Sequence, residues 1–364
     1  MDRRSFFQKA GLATAGAAMA TPAIAQVSQK VVWRMASYFS RSFETIYAGA
    51  EDIARRVAEA TDGAFEIQVK APGDAVPAER VLDAVRAGTV EAAFAPTSEF
   101  WEIEPTYALA TALPFGLNPR MANAWFYQGN GKALLSEFFA SQGLYGLPAG
   151  NAGTQMGGWF RKDIGTLDDL KGLKFRISGI AAKVLEKIGA SPQKLAIDDV
   201  YSALERNQID AARHLGPLDD AALGLYRVAK YYYYPAFWDA GPAIHALFNL
   251  EKYKALPPRY QAILEDACAA ANTGMMASYD AKNPRALREI VASGTQLRPF
   301  TQDILDAAFA ANNALCLELA SKSPYFKKAY VDQLAFRKDA YMLTQVGDYT
   351  FDTFMVIQQR AGKL

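Results

Sequence analysis

The chain is poor in the residues on which most metal and redox sites depend. Its 364 residues include only two histidines, His214 and His245, and only two cysteines, Cys268 and Cys316. A histidine-rich metal site, a disulfide framework and a cysteine-rich zinc site are therefore excluded. The sequence also contains no G-x-S-x-G, H-E-x-x-H or C-x-x-C motif. These absences argue against the commonest hydrolase and redox chemistries.

The chain also lacks an excess of charge and a long hydrophobic run. It has 39 Lys and Arg against 38 Asp and Glu, which gives a formal net charge of +1. The basic residues are scattered and are not interleaved with aromatic residues, so we expect no nucleic-acid-binding surface. No segment is apolar enough to cross a bilayer, so the sequence predicts a protein that is not membrane-embedded. With 51% hydrophobic and 21% charged residues, the composition is that of a folded globular protein.

Residues 1–25 have the pattern of an export signal. Arg3 and Arg4 form a twin-arginine pair, and a weakly apolar stretch rich in alanine and glycine leads to a small-x-small site that ends at Ala25. We expect cleavage after Ala25 and export of the mature chain to a bacterial periplasm. Because ATP and NAD are cytoplasmic, export weakens the case for chemistry that needs either cofactor.

The rest of the sequence alternates between strand and helix patterns. Hydrophobic periodicity predicts strand, helix, strand, helix and strand at 30–37, 44–60, 65–69, 78–87 and 90–95. The pattern restarts with a strand at 173–177, helices at 181–188 and 200–206, and strands at 209–213 and 243–249. Further helices are predicted at 257–294, 302–321 and 324–361. This order is typical of an α/β fold with two lobes, a ligand cleft between them and long C-terminal helices.

Three other features are interpreted as structural. The run Tyr231–Tyr234, which precedes a proline, predicts a strand whose side chains pack on alternate faces. His245 lies in an apolar strand pattern and is interpreted as a core histidine. Cys268 and Cys316 lie in helical patterns and are interpreted as buried thiols. An exported protein could also pair them in a disulfide, and the sequence leaves that alternative open.

Arg176 is the residue whose own context points most directly to ligand binding. Leu173 and Phe175 alternate with Lys174 and Arg176, so a strand places Arg176 on one face near the strand's end. A guanidinium there can hold a carboxylate through two parallel hydrogen bonds. The alternatives are a surface arginine and a structural ion pair.

Six stretches of the chain carry motifs of a known family. They are LKGLKFR at Leu170–Arg176, ALERNQIDA at Ala203–Ala211, GNAGTQMGGWFR at Gly150–Arg161, YYYYP at Tyr231–Pro235, GTQLRPF at Gly294–Phe300 and YTFDTFM at Tyr349–Met355. The chain thereby resembles the substrate-binding proteins of tripartite ATP-independent periplasmic (TRAP) transporters, the DctP-type family. The likeness is greatest to the branch that binds 2-oxo acids. It implies a two-lobe periplasmic binding protein that delivers a small organic acid, with a 2-oxo monocarboxylate favoured, to membrane permease subunits.

The resemblance also implies how the chain is divided. Lobe I is expected to comprise residues 27–150 plus about 237–290, and lobe II residues 151–236 plus about 291–323. Residues 324–364 resemble the long terminal helix that the branch exchanges between two subunits, which implies a homodimer. Packing of that helix within one chain is the alternative.

Nine residues are carried over as ligand-site candidates. Arg176 matches the arginine that holds the ligand's carboxylate, and Gln155 matches a polar residue at the ligand and its cation. Asp239 stands where the branch has a glutamate near the ligand. The other candidates are Phe100 and Trp101 as aromatics of the cleft, Asn151 as a further donor, Glu99 at a position where the branch is rich in tyrosine, and Arg213 and His214, which are considered next.

Arg213 and His214 depart from the family pattern. The branch has Glu-Trp there, and the carboxylate and the Trp carbonyl help to hold a sodium ion. A cation site needs oxygen ligands and negative charge, whereas Arg213 is permanently positive, so no metal or other cofactor is expected here. Three interpretations remain open: the guanidinium replaces the metal, it clamps a dicarboxylate together with Arg176, or it pairs with Glu99 or Asp239 and only shapes the cleft. His214 either contacts the ligand or fills the tryptophan's space.

Two other classes of function compete with transport. The chain could be an exported lyase in which Arg176 binds an organic acid and Glu99, Asp239 or His214 acts as the base. It could also present its bound acid to a membrane receptor. We favour the binding protein, which makes and breaks no bond.

Overall fold

The computed structural model describes residues 30–364. The predicted signal peptide at 1–25 lies outside the described residues. The strands are β1 Val31–Ser37, β2 Phe65–Lys70, β3 Ala92–Ala95, β4 Leu144–Asn151, β5 Gly158–Phe160, β6 Lys174–Arg176, β7 Ser191–Gln193, β8 Ala211–Ala212, β9 Tyr231–Tyr234, β10 Ala243–Asn249 and β11 Gln296–Pro299.

Helices cover most of the remaining described chain. They are α1 Glu44–Ala60, α2 Val81–Arg86, α3 Thr106–Thr111, α4 Pro119–Gln128, α5 Gly131–Ser141, α6 Gly179–Lys187, α7 Ile197–Glu205, α8 Pro217–Ala222, α9 Leu250–Lys254, α10 Pro258–Ala292, α11 Gln302–Lys322, α12 Pro324–Val346 and α13 Asp348–Arg360. No helix within 30–364 is long and apolar enough to span a bilayer.

Lobe I is built on a five-stranded sheet in the order β2-β1-β3-β10-β4. The first three strands are parallel, with Val31 opposite Phe65 and Met35 opposite Ala92, and β10 runs antiparallel to both of its neighbours. The predicted β-α-β-α-β order is confirmed. Helix α1 follows its prediction because one face buries apolar residues such as Ile46 and Ile53.

Lobe II is built on a six-stranded sheet in the order β11-β9-β5-β8-β6-β7. The tyrosine strand is confirmed as β9, which is antiparallel to β5 and parallel to β11. Tyr232 and Tyr233 are fully buried on opposite faces of it. Tyr232 stacks on Trp159 with ring centroids 4.1 Å apart, and Tyr233 packs on Phe160 with centroids 4.7 Å apart. The α/β architecture with two sheets is therefore as predicted.

The chain passes between the two sheets at 152–157, at 235–242 and after α10. Helix α10 is 35 residues long and packs into both lobes. Met275 lies in the core of lobe I. It packs closely on Gly150, because a Cβ atom at that position would lie 2.6 Å from Met275 Cε. Ile290 lies in the core of lobe II, and Pro284 lies inside the helix between these two points. How the remaining residues divide between the lobes stays a prediction.

The C-terminal region differs from its prediction. We predicted one helix over 324–361, but the structure has two, α12 and α13, separated by Gly347. Glycine has a low helix propensity, and Gly347 departs from helical geometry with φ −86° and ψ −77°. Helix α12 packs on lobe I, where Asp332 accepts hydrogen bonds of 2.7 Å from Trp125 Nε1 and Asn130 Nδ2. Helix α13 buries none of its residues.

The three residues interpreted as structural are buried. His245 lies in β10 within the core, and burial lowers its pKa to about 3, so the ring is neutral. Cys268 and Cys316 are buried free thiols, in line with the first of the two alternatives.

Candidate ligand-binding site

A cavity of about 430 Å³, counted with the solvent space at its mouth, lies between the lobes. Its lining combines the end of the 3-10 turn after β3, the start of α6 and the segments that follow β8 and β9. The lining residues are Ser98, Glu99, Ala108, Thr111, Ala112, Pro114, Ile177, Ser178, Gly179, Ile180, Ala181, Arg213, Trp238 and Asp239.

Arg176 lies next to this lining, at the C-terminal end of β6. Its Nε donates to the carbonyl of Leu195 at 3.1 Å, and its Nη1 donates to the carbonyl of Arg213 at 2.9 Å. These bonds fix the plane of the guanidinium and leave the other Nη group to meet a ligand. Burial lowers the pKa of Arg176, and Glu99 and Tyr38 partly oppose that effect. The fixed positive charge at a strand end is what a carboxylate site requires.

Arg213 follows β8 and forms an ion pair with Asp239. One of its Nη groups contacts Asp239 Oδ2, and the two side chains are only 19% and 15% exposed. Arg213 Nε and Asp239 Oδ1 are buried without a partner among the described residues. Burial, followed by repulsion from Arg176, lowers the pKa of Arg213 to about 10, so it stays charged at neutral pH. The structure places Arg213 in contact with Asp239, which corresponds to the third of the three interpretations of Arg213.

His214 follows Arg213 in the chain and is buried, and Gln155 is buried where a Cβ atom at Gly216 would lie 3.6 Å from its Oε1. The ring of His214 packs on Phe43, with centroids 5.1 Å apart. Burial and the two arginines hold the pKa of His214 well below its ordinary value, so the ring is neutral. Gln155 donates from Nε2 to the carbonyl of Ala152 at 2.6 Å. His214 Nε2 and Gln155 Oε1 are buried and have no hydrogen-bond partner among the described residues.

Glu99 connects the lobes across the cavity. Its Oε1 accepts a hydrogen bond of 2.9 Å from Ser178, at the start of α6, and its Oε2 accepts one of 3.3 Å from Tyr38, after β1. Ser178 belongs to lobe II, whereas Glu99 and Tyr38 belong to lobe I. The contact therefore joins the two walls of the cleft.

Six of the nine predicted site residues lie outside the cavity lining: Arg176, Gln155 and His214, described above, and Asn151, Phe100 and Trp101. Asn151 uses its side chain on the backbone, because its Oδ1 accepts from Gly153 N at 2.9 Å and its Nδ2 donates to the carbonyl of Pro119 at 3.4 Å. Phe100 is buried in the core against Tyr107. Residues three apart eclipse each other in a 3-10 turn, so Phe100 shares the buried face of Thr97 while Glu99 faces the cavity. Trp101 packs against the same core cluster.

The structure adds site residues that the sequence analysis missed. Tyr38 and Ser178 hold Glu99, and Trp238 lines the cavity beside Asp239. Tyr38 directly follows β1, and Ser178 lies two residues after β6. The rule that ligands bind beyond the carboxyl ends of parallel strands could have singled out both positions.

Asp220 supports the segment that carries Arg213 and His214. It is fully buried and accepts hydrogen bonds from Trp159 Nε1 at 2.9 Å, Tyr232 OH at 2.6 Å and Leu215 N at 3.2 Å. Burial raises the pKa of Asp220, and these three donors oppose the shift. Asp220 therefore links β5, β9 and the turn after β8 at a single point.

A second cavity of about 440 Å³ lies inside lobe I, beneath α12. His245, Asn123 and Gln333 are its main polar side chains, and the rest of its lining is mostly apolar. Since His245 is neutral, this lining carries no charged side chain that could hold a carboxylate. The cavity between the lobes is the better candidate for an anionic ligand.

Comparison with known proteins agrees with the fold and the cleft. Residues 36–323 match the DctP family, described as bacterial extracellular solute-binding protein, family 7. A monocarboxylate 2-oxoacid-binding periplasmic protein of Nostoc is 41% identical over 97% of this chain and 99% of that protein.

Two solved structures of TRAP solute-binding proteins are also similar. The Bordetella bronchiseptica protein, a mixed-occupancy dimer with calcium and picolinate bound, has a TM-score of 0.88 and 38% identity over 92% of this chain and 99% of that one. The Pseudoalteromonas atlantica protein, with bound sodium and pyruvate, has a TM-score of 0.84 and 31% identity over 88% and 98% of the two chains. These relatives are solute-binding proteins and not enzymes. The chain therefore belongs to the DctP family of TRAP transporter solute-binding proteins.

Proposed function

We propose that this chain captures a small organic acid in the periplasm and delivers it to TRAP permease subunits in the membrane. A 2-oxo monocarboxylate is the favoured ligand, and the twin-arginine signal at 1–25 directs export. The observation that carries the proposal is the fixed guanidinium of Arg176 beside a cavity between two lobes. The 41% identity to a 2-oxoacid-binding protein supports the choice of ligand.

In this proposal the lobes close around the ligand, and Arg176 holds its carboxylate. Hydrogen bonds between charged groups contribute about 1.5–3 kcal/mol each, so a two-bond clamp supplies most of the specific affinity of a small acid. The unpartnered Nε of Arg213 provides a further donor for the 2-oxo oxygen. The closed walls are joined by the contact between Glu99 and Ser178.

The related structures hold calcium or sodium with their ligands. Gln155 Oε1 and Asp239 Oδ1 are buried oxygens without partners, but the guanidinium of Arg213 holds the other oxygen of Asp239. These residues do not fit a resident cation, because a permanent positive charge already stands there. We propose that Arg213 takes the cation's place.

A thermal-shift screen tests the ligand and the cation together. The mature chain, Gln26–Leu364, is stripped by unfolding and refolding and then offered 2-oxo acids, hydroxy acids, dicarboxylates and sugar acids, each with calcium, sodium or chelator. A ligand at 100 times its dissociation constant adds about 2.7 kcal/mol, which raises Tm by about 5 °C at roughly 2 °C per kcal/mol. We expect 2-oxo monocarboxylates to stabilise the protein equally with and without chelator.

Other outcomes of the screen contradict different parts of the proposal. A shift that needs calcium or sodium overturns the role given to Arg213 and restores a cation-bridged site. A preference for dicarboxylates favours a clamp made of Arg176 and Arg213, although the structure holds Arg213 on Asp239. Stabilisation by none of these acids overturns the carboxylate site at Arg176.

We also propose that the C-terminal helices form a homodimer. Helix α13 buries none of its residues although it carries large apolar side chains, including Phe351, Phe354 and Ile357, which are 55–63% exposed. Such residues are rarely left in water on a helix unless they contact a partner. The related Bordetella structure is a dimer, which supports a second copy of this chain as the partner.

Deletion of residues 348–364 is expected to convert the mature chain from dimer to monomer. Size-exclusion chromatography with light scattering measures the mass of both forms. Phe351→Asp with Phe354→Asp in the full-length mature chain should have the same effect, and Asp352→Ala, on the same helix, serves as the control. A parent chain that is monomeric at micromolar concentration would contradict this proposal.

A further inference from the structure

The charged groups that line the interlobe cavity are two carboxylates and one guanidinium: Glu99, Asp239 and Arg213. Arg213 and Asp239 neutralise each other as an ion pair. Glu99 has no such partner in the lining, because its two oxygens accept from the hydroxyls of Ser178 and Tyr38. The lining therefore presents one negative charge that no cation of the lining compensates.

Glu99 is also close enough to both arginines to affect their pKa values. It opposes the lowering of the pKa of Arg176 and of Arg213. A carboxylate bound by Arg176 would consequently lie within electrostatic reach of Glu99. One negative charge on the ligand is offset by Arg176, but a second would find Arg213 already engaged by Asp239.

We propose that Glu99 determines specificity by excluding acids that carry a second carboxylate, so that the protein selects monocarboxylates. This inference rests on the proposed function, since it assumes that Arg176 holds the first carboxylate. Like charges brought together in a poorly hydrated site repel by several kcal/mol, which suppresses the wrong ligand more than it alters the right one. The uncharged end of a monocarboxylate instead contacts the apolar residues of the lining, including Ala112, Pro114 and Ile180.

Glu99 could instead serve only as a bridge between the lobes through Ser178, and two variants separate these roles. Glu99→Gln removes the charge but keeps one acceptor oxygen for Ser178, while its amide nitrogen can donate to the hydroxyl oxygen of Tyr38. Ser178→Ala removes the bridge but keeps the charge of Glu99. A bridge alone affects all ligands equally, whereas a charge acts on the second carboxylate.

The probes are 2-oxopentanoate and 2-oxoglutarate, which have the same carbon chain and differ in a second carboxylate. Calorimetry on the full mature chain gives the ratio of their two dissociation constants. A substitution that changes both affinities equally leaves this ratio unchanged. We expect the parent to favour 2-oxopentanoate and Glu99→Gln to shift the ratio about tenfold or more toward 2-oxoglutarate, which corresponds to about 1.4 kcal/mol. Ser178→Ala and the exposed control Glu102→Gln should leave the ratio unchanged.

Each other outcome contradicts either this inference alone or the proposed function as well. An unchanged ratio in Glu99→Gln, or a parent that binds both acids equally, overturns the inference while leaving the proposed function intact. A ratio that moves as far in Ser178→Ala as in Glu99→Gln shows that the bridge and not the charge sets selectivity. Binding of neither acid by parent and variant overturns the proposed function and this inference with it.

Discussion

Replacement of Arg176 by methionine is expected to weaken binding of a 2-oxo monocarboxylate about 100-fold or more. The variant loses two charge-assisted bonds to the ligand, and the ligand's carboxylate is left in the cleft without its cation. A 100-fold loss corresponds to about 2.7 kcal/mol, which is within the range of a single desolvated charge pair. Calorimetry on the stripped mature chain measures the change.

Two further variants make this result specific. Arg176→Lys keeps the charge but loses the planar fork, so it should bind better than the methionine variant and worse than the parent. Arg206→Met removes an exposed arginine from the same lobe and should bind as the parent does. Near-parental affinity in Arg176→Met, with an unchanged circular dichroism spectrum, would show that the carboxylate is held elsewhere.

Substitution of Asp220 by alanine is expected to destabilise the protein by about 3–5 kcal/mol. The change leaves the buried donors of Trp159, Tyr232 and Leu215 without an acceptor, and each such donor costs about 1–3 kcal/mol. At roughly 2 °C per kcal/mol for a chain of this length, Tm falls by about 6–10 °C. Differential scanning calorimetry of the unliganded mature chain measures this fall.

Asp198→Ala is the matched control for this prediction. Asp198 is an exposed aspartate in the first turn of α7, in the same lobe, and its loss should lower Tm by no more than about 2 °C. If Asp220→Ala melts within 2 °C of the parent, the three hydrogen bonds do not support the segment that carries Arg213.

The helices and strands that the sequence predicts correctly are those whose hydrophobic pattern is local. Helix α1 and strand β10 have the predicted bounds because their apolar spacing is unbroken from end to end. The break at Gly347 was missed because a single glycine is often tolerated inside a helix, and only the packing of the last helices decides its conformation.

The candidate site was predictable where it depends on a strand end and unpredictable where it depends on contacts between lobes. Arg176 could be recognised from its place at the end of a strand. The bond between Glu99 and Ser178 joins residues 79 positions apart, and no local pattern encodes it. The sequence left three interpretations of Arg213 open, and its contact with Asp239 follows from how the crossing segment at 235–242 returns to the cleft.

Helix α10 constrains how the two lobes can move. It is one continuous rod whose ends are embedded in different cores, so the lobes cannot slide past each other without pulling Met275 or Ile290 out of its packing. Rotation of one lobe relative to the other costs less free energy. Pro284 has no N–H to donate to the carbonyl of Asp280, so the helix is weaker between Met275 and Ile290. We therefore expect the cleft to open by a bend near this turn of α10, through an angle limited by how far the helix flexes before its remaining backbone hydrogen bonds break.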